Sequence, residues 1–195
     1  MPIVDGDFIP DKPAALLSRG DFKQCDILIG SVKDEGSLIT IRAFVDQLPR
    51  RNPYINKDRF EASLPQYVYN YNNDIILDAV QQQYVDWALA DDPDTNYFYY
   101  FIELDSDEAF KCPADATARA HVRIGSNVYM YHMTYKPSKS FLGDLPTWKG
   151  VAHADDLQFI FGWHFIPGKE HPMTPLEVNM TLDTMTYWTN FARTG

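Results

Sequence analysis

The sequence predicts an α/β fold, and three observations carry that expectation. Two apolar runs with strand character lie far apart in the chain, a stretch of helical periodicity sits between them, and a strong helix-start signal follows the second. Asp26-Ile-Leu-Ile-Gly30 is short, apolar and bounded by a charge and a glycine, the pattern of a strand buried on both faces of a parallel sheet. Val128-Tyr-Met-Tyr-His-Met-Thr-Tyr135 is aromatic-rich and alternates imperfectly, entered by the turn Gly125-Ser126-Asn127. Between them Ile76, Val80, Tyr84 and Trp87 recur at helical spacing, predicting a helix from about Asp74 to Ala90 that Asp91-Asp92-Pro93 ends. Asp105-Ser-Asp-Glu108 reads as a capping box for a helix carrying Ala109, Cys112, Ala116 and Ala120, against the grain of Pro113. Thr174-Pro175-Leu176-Glu177 is the better start, with an N-cap Thr, Pro at the first helical position and Glu at the third. Leu176, Met180, Tyr187 and Phe191 are its expected buried stripe.

Two strands are too few to close a sheet of usual size, so the chain reads as part of a larger domain. At 195 residues one domain is the default, and the scattered 13 prolines and 10 glycines leave no linker, repeat or low-complexity tract. Charge then excludes partners. A net charge of −10 and a pI near 4.8 repel phosphate backbones, so nucleic acid is not an expected partner. The longest apolar run, Phe159 to Pro167, is far short of a membrane span and contains His164. The opening residues lack the basic and apolar regions of a signal peptide. Two cysteines without metal spacing imply neither a disulfide scaffold nor a zinc site, and no metal or cofactor is expected. Cys25, ahead of the first strand, reads as a small buried thiol.

In open α/β sheets ligands bind beyond the carboxyl ends of strands, which directs attention to the segments after the two runs. Glu35 in Lys33-Asp34-Glu35-Gly36-Ser37 and His153 in Gly150-Val-Ala-His153-Ala-Asp-Asp156 stand there. An acid orienting a histidine that serves a serine is triad logic, in the chain order nucleophile, acid, His for hydrolases of this architecture. Read without further context, a loop Glu is usually solvated and a lone His a satisfied ring. His121, His132, His164 and His171 have no comparable setting, and Asp155 and Asp156 read equally as supporting groups or as an exposed acidic loop. None of Ser31, Ser37, Ser126, Ser138 and Ser140 lies in a Gly-x-Ser-x-Gly elbow, so no nucleophile is nominated.

Over nearly its whole length the chain resembles the C-terminal part of type-B carboxylesterases, the family of cholinesterases and bile-salt-activated lipase. Pro2-Ile-Val-Asp-Gly-Asp-Phe-Ile-Pro10 resembles the family's P-V-(I/V)-D-G-x-F segment, and Val32-Lys-Asp-Glu-Gly-Ser37 its acid motif. Trp148-Lys-Gly-Val-Ala-His-Ala-Asp-Asp-Leu-Gln-Phe-Ile-Phe-Gly162 resembles the block with the triad His, and Tyr187-Trp-Thr-Asn-Phe-Ala-Arg-Thr-Gly195 a late helix after which members continue. The resemblance implies an α/β-hydrolase fold of which residues 1–195 are the C-terminal segment. It implies Glu35 as triad acid and His153 as general base, with the serine elbow and oxyanion glycines upstream and the chain inert without that half. Folding of the segment by itself is then doubtful, with open strand edges exposed.

The implied substrate is a small carboxylic ester. Cholinesterases usually carry aromatics just past the acid motif, where this chain has Leu38, Ile39 and Arg42, so cation–π selectivity is weakened. His153-Ala-Asp-Asp156 is closer to bile-salt-activated lipase than to the H-G-Y of cholinesterases, which favours broad ester specificity. Trp148 could wall the gorge or simply fill the core. Cys112 matches a family cysteine whose disulfide partner lies past Gly195. Asn179-Met-Thr181 is an N-glycosylation sequon, meaningful on the secretory or cell-surface route that the resemblance implies. The rival reading is a non-catalytic cholinesterase-like adhesion module.

Overall fold

A computed structural model describes residues 3–47, 49–50, 52–68, 73–140, 150–167 and 172–195. Helix α1 (Pro13–Arg19) leads to strand β1 (Ile27–Val32). Helices α2 (Ser37–Ala43), α3 (Lys57–Tyr67), α4 (Asp74–Tyr84), α5 (Phe98–Ser106) and α6 (Cys112–Arg123) then precede strand β2 (Val128–Met133). Helices α7 (Leu157–Ile160) and α8 (Pro175–Thr194) follow.

The strands pair in parallel, Ile27 against Val128 through Val32 against Met133, and just past β1 Asp34 makes an isolated parallel bridge to Ala152. This pairing brings together the segments that follow the two strands. Neither strand has the burial of a central one: Ile27–Gly30 are half-buried and Tyr129 and Met130 are exposed. The expectation of a β1 buried on both faces is corrected accordingly: among the described residues its sheet has two strands, and within β1 only Ser31 and Val32 are buried. Cys25 is likewise half-exposed rather than buried.

The main core lies among α2 to α5. Phe60, Phe98 and Phe101 are fully enclosed, and Phe101 packs against Phe60 and Phe44 at centroid distances of 4.6 and 5.1 Å. Each such ring contributes on the order of 2–3 kcal/mol by leaving water. Helix α4 adds Ile76, Leu77, Val80 and Tyr84 to this cluster, on the face its periodicity marks. It ends at Tyr84, before the expected Ala90, with Val85 already extended and Trp87 exposed.

The expected helix start at Asp105 is overturned. Asp105 and Ser106 end α5, and the chain continues from them through a π turn (Asp107–Lys111) into α6. The Cys112 N–H reaches back to the Asp107 carbonyl, and this widened turn stands directly before Pro113, whose ring would otherwise meet the carbonyl four residues back. Asp105 is instead a core residue. The capping box at Thr174 forms in full: the Thr174 hydroxyl accepts the Glu177 N–H, and the Glu177 carboxylate accepts that of Thr174. The buried stripe of α8 is shifted, with Glu177 and Thr181 enclosed and Leu176 and Tyr187 exposed. Trp188 and Phe191 pack on Tyr131 and Tyr129, so the tilt of α8 across β2 selects those positions.

Candidate functional site

Glu35 and His153, 118 residues apart in sequence, meet beyond the ends of the parallel strands. Glu35 Oε2 lies 2.6 Å from His153 Nδ1, and Glu35 Oε1 accepts the Val32 N–H at 2.9 Å. The Glu35 side chain is 8% exposed and that of His153 38%. The acid is thus enclosed and held at both oxygens, whereas the ring opens to solvent on one side. Phe110, in the π turn, packs on the imidazole at 4.8 Å between centroids. With Nδ1 on Glu35, Nε2 is the ring nitrogen directed away from the carboxylate, and it has no hydrogen-bond partner among the described residues.

The local sequence explains the placement. Asp34 Oδ2 accepts the Val151 N–H at 2.8 Å, and the Asp34 N–H donates to the Val151 carbonyl at 3.1 Å, locking the two segments side by side. Gly150 leaves room for this contact, since a Cβ there would meet the Asp34 carboxylate unless that side chain turned away. The Gly36 N–H donates to Ser106 Oγ at 2.8 Å and packs directly on the end of α5. On the other side the His153 turn closes through the Asp155 N–H to the Ala152 carbonyl at 3.0 Å. Ala154, third in that turn, has φ of 71°, a left-handed conformation costing an L residue ~1 kcal/mol. Of the two aspartates, Asp155 is buried and accepts the Ala152 N–H, while Asp156 accepts the Tyr131 hydroxyl at 2.7 Å. Neither belongs to an exposed acidic loop.

The connection leaving β2 is anchored by α8. Glu177 accepts the Ser138 N–H at 2.6 Å, the Ser138 hydroxyl at 2.8 Å and the Thr174 N–H at 2.7 Å. Burial works to raise its pKa, and the hydrogen bonds from Ser138 and Thr174 outweigh burial and leave it below the ordinary value. A depressed carboxyl contributes stability above its unfolded pKa, lost as pH falls through the folded one. Glu177→Gln is expected to lower the urea midpoint at pH 7, by an amount equivalent to about 1–3 kcal/mol, and the difference from wild type should shrink as pH falls below the ordinary carboxyl range.

The remaining candidates are dispersed. Leu38 and Ile39 are half-buried in the first turn of α2, close in sequence to Glu35. Trp148 lies outside the described residues. Cys112 is an exposed free thiol at the start of α6, and Asn179 is exposed on α8 while the Thr181 hydroxyl of its sequon is buried and donates to the Glu177 carbonyl. Among the described residues no cluster of His, Cys, Asp and Glu could hold a metal ion, and no helix is long and apolar enough to cross a membrane. Phe110, Ser106 and the bonded pairing of Asp34 with Val151 went unanticipated. Only the last had a sequence signal, the adjacency of Asp34 to Glu35.

The model of the Carboxylesterase family matches residues 1–195, the entire chain. The chain belongs to the carboxylesterase family. Acetylcholinesterase from Bungarus fasciatus is 34% identical over 195 residues, all of this chain and 31% of the relative. Neuroligin-3 from Mus musculus and from Homo sapiens are each 32% identical over 202 residues, again all of this chain and 23% of theirs. This carboxylesterase-family chain therefore spans about a quarter to a third of the length of the curated relatives it matches. Family membership implies the α/β-hydrolase fold, with which two parallel strands flanked by helices are compatible as a partial fold.

Proposed function

We propose that these residues supply the acid and the general base of a serine carboxylic-ester hydrolase. The nucleophile and oxyanion donors would come from residues outside the 195, the upstream half of the same domain. The observation that carries this reading is the 2.6 Å contact between the enclosed Glu35 carboxylate and His153 Nδ1. Nε2 of His153 takes the serine proton as the hydroxyl attacks the ester carbonyl, then returns it to the leaving alcohol. In the second half it activates water against the acyl-enzyme. Glu35 holds the ring in the tautomer with the proton on Nδ1 and stabilises the imidazolium.

Leu38 and Ile39, aliphatic where a quaternary ammonium would call for aromatic faces, support small carboxylic esters of broad type over choline esters. Trp148 is proposed as a further wall. Placement on the secretory route or at the cell surface, a disulfide from Cys112 to a cysteine outside the chain and modification of Asn179 belong to the same reading.

The test uses the gene product that joins these residues to an upstream Gly-x-Ser-x-Gly. His153→Ala is expected to lower kcat on p-nitrophenyl butyrate by about 10⁴-fold or more, with Glu35→Gln following in the same direction. The 195-residue chain by itself is expected to be inert, and turnover by it that His153→Ala abolishes would overturn the reading. The identity to neuroligin-3 supports a second reading, a non-catalytic binding module. A non-nucleophilic residue at the elbow serine position would select it.

A further inference from the structure

The turn carrying His153 is built on a carboxylate that the Glu35 pairing does not use. Asp155 is 1% exposed, and both its oxygens are engaged. Oδ2 accepts the Ala152 N–H at 2.8 Å and Oδ1 the Ser140 hydroxyl at 2.6 Å. Gln158, equally enclosed, donates through Nε2 to the Asp155 carbonyl at 3.0 Å and to the Lys139 carbonyl at 3.2 Å. These contacts tie the turn to residues 138–140, and Glu177 of α8 grips the Ser138 end of that short segment. Inside this frame Ala154 keeps a left-handed backbone that glycine would adopt freely and alanine resists. Such a conformation persists only when its surroundings over-determine it, and Asp155 is the group that touches both sides of the turn.

We propose that Asp155 is a positioning residue for His153. By accepting from Ala152 and Ser140 together it holds the strained turn closed, which keeps Nδ1 on Glu35 and aims Nε2 in one fixed direction. The proposal rests on the reading of His153 as general base. The Ala152 N–H and the Ser140 hydroxyl are both donors, so these two contacts call for two acceptors on one short side chain, which a carboxylate provides. An amide provides one acceptor and one donor, and it fits once the Ser140 hydroxyl rotates to accept.

The experiment is steady-state hydrolysis of p-nitrophenyl butyrate by the intact gene product, comparing Asp155→Ala, Asp155→Asn, Ser140→Ala and His153→Ala. Asp155→Ala should lower kcat by 10- to 100-fold with KM within twofold, Asp155→Asn should recover to within a few-fold of wild type, and Ser140→Ala should fall between. If Asp155→Ala fails to fold, Ser140→Ala decides by the same split of kcat from KM, since it leaves the contact of Asp155 with the Ala152 N–H in place. Wild-type kcat in Asp155→Ala, or in Ser140→Ala where that variant decides, overturns the positioning role while His153→Ala still abolishes turnover. Full turnover in His153→Ala overturns the underlying reading and the proposal with it.

Discussion

Gly36→Ala is expected to destabilise the chain by about 3 kcal/mol or more, read as a fall in the urea midpoint at constant slope. A Cβ at this position runs into the Ile102 carbonyl oxygen and stands 2.5 Å from Asp105 Cβ and 2.6 Å from the Ser106 nitrogen. Two of those three are backbone atoms of α5, which cannot turn aside as a side-chain tip can. Relief requires α2 and α5 to separate, and that opens the core at Phe44, Phe98 and Phe101. It also pulls the Gly36 N–H off Ser106 Oγ and shifts the neighbouring Glu35 away from His153. Gly150→Ala is the internal comparison. Its Cβ meets a carboxylate, Asp34, that can rotate at the loss of a hydrogen bond, so the cost should be smaller. A Gly36→Ala midpoint within experimental error of wild type would contradict the packing described.

Asp105→Asn is expected to stabilise the chain at neutral pH. Asp105 is 2% exposed in the last turn of α5, and the Thr40 hydroxyl donates to its Oδ2 at 2.7 Å. Burial pushes its pKa up to about 7; Thr40 pulls the other way, and the negative charge of Glu108, in the π turn, adds to the rise. The folded state therefore binds the proton more tightly than the unfolded chain. The linkage runs opposite to an ordinary carboxylate: stability is greatest below the unfolded pKa near 4, declines as pH rises and is fully forfeited once pH passes the folded value. A displacement from about 4 to about 7 corresponds to ~4 kcal/mol at most. Asparagine keeps an acceptor for Thr40 and carries no charge to desolvate. The variant should gain stability at pH 8, by up to that amount, and show little difference at pH 4. Equal wild-type and variant stability at both pH values would show that the carboxylate is solvated in the folded chain.

Both predictions concern residues whose importance the sequence conceals. Gly36 reads as a turn glycine beside a loop acid, and its true constraint is a helix arriving from seventy residues away. Asp105 reads as an N-cap, because Asp followed three residues later by Glu is a start signal in local terms. Tertiary burial placed it inside a continuous helix, where the π turn removes the obstacle that Pro113 posed. The shortened α4 and the exposed Leu176 and Tyr187 share this cause: periodicity specifies that a face is apolar, whereas the neighbouring elements decide which part of it is covered.

What the sequence determined by itself was local and chemical in kind. The two strand runs and the capping box at Thr174 follow from residue types at short spacing, where backbone geometry leaves few alternatives, whereas Glu35 and His153 are singled out by their loop settings and by resemblance to family motifs. Only the tertiary structure decided that Glu35 and His153 lie 2.6 Å apart, that Asp155 is enclosed and braces their turn, and that Asp105 is a buried carboxyl. Those depend on which distant segments the parallel pairing of β1 and β2 brings together, and on how much water that packing leaves around each charge.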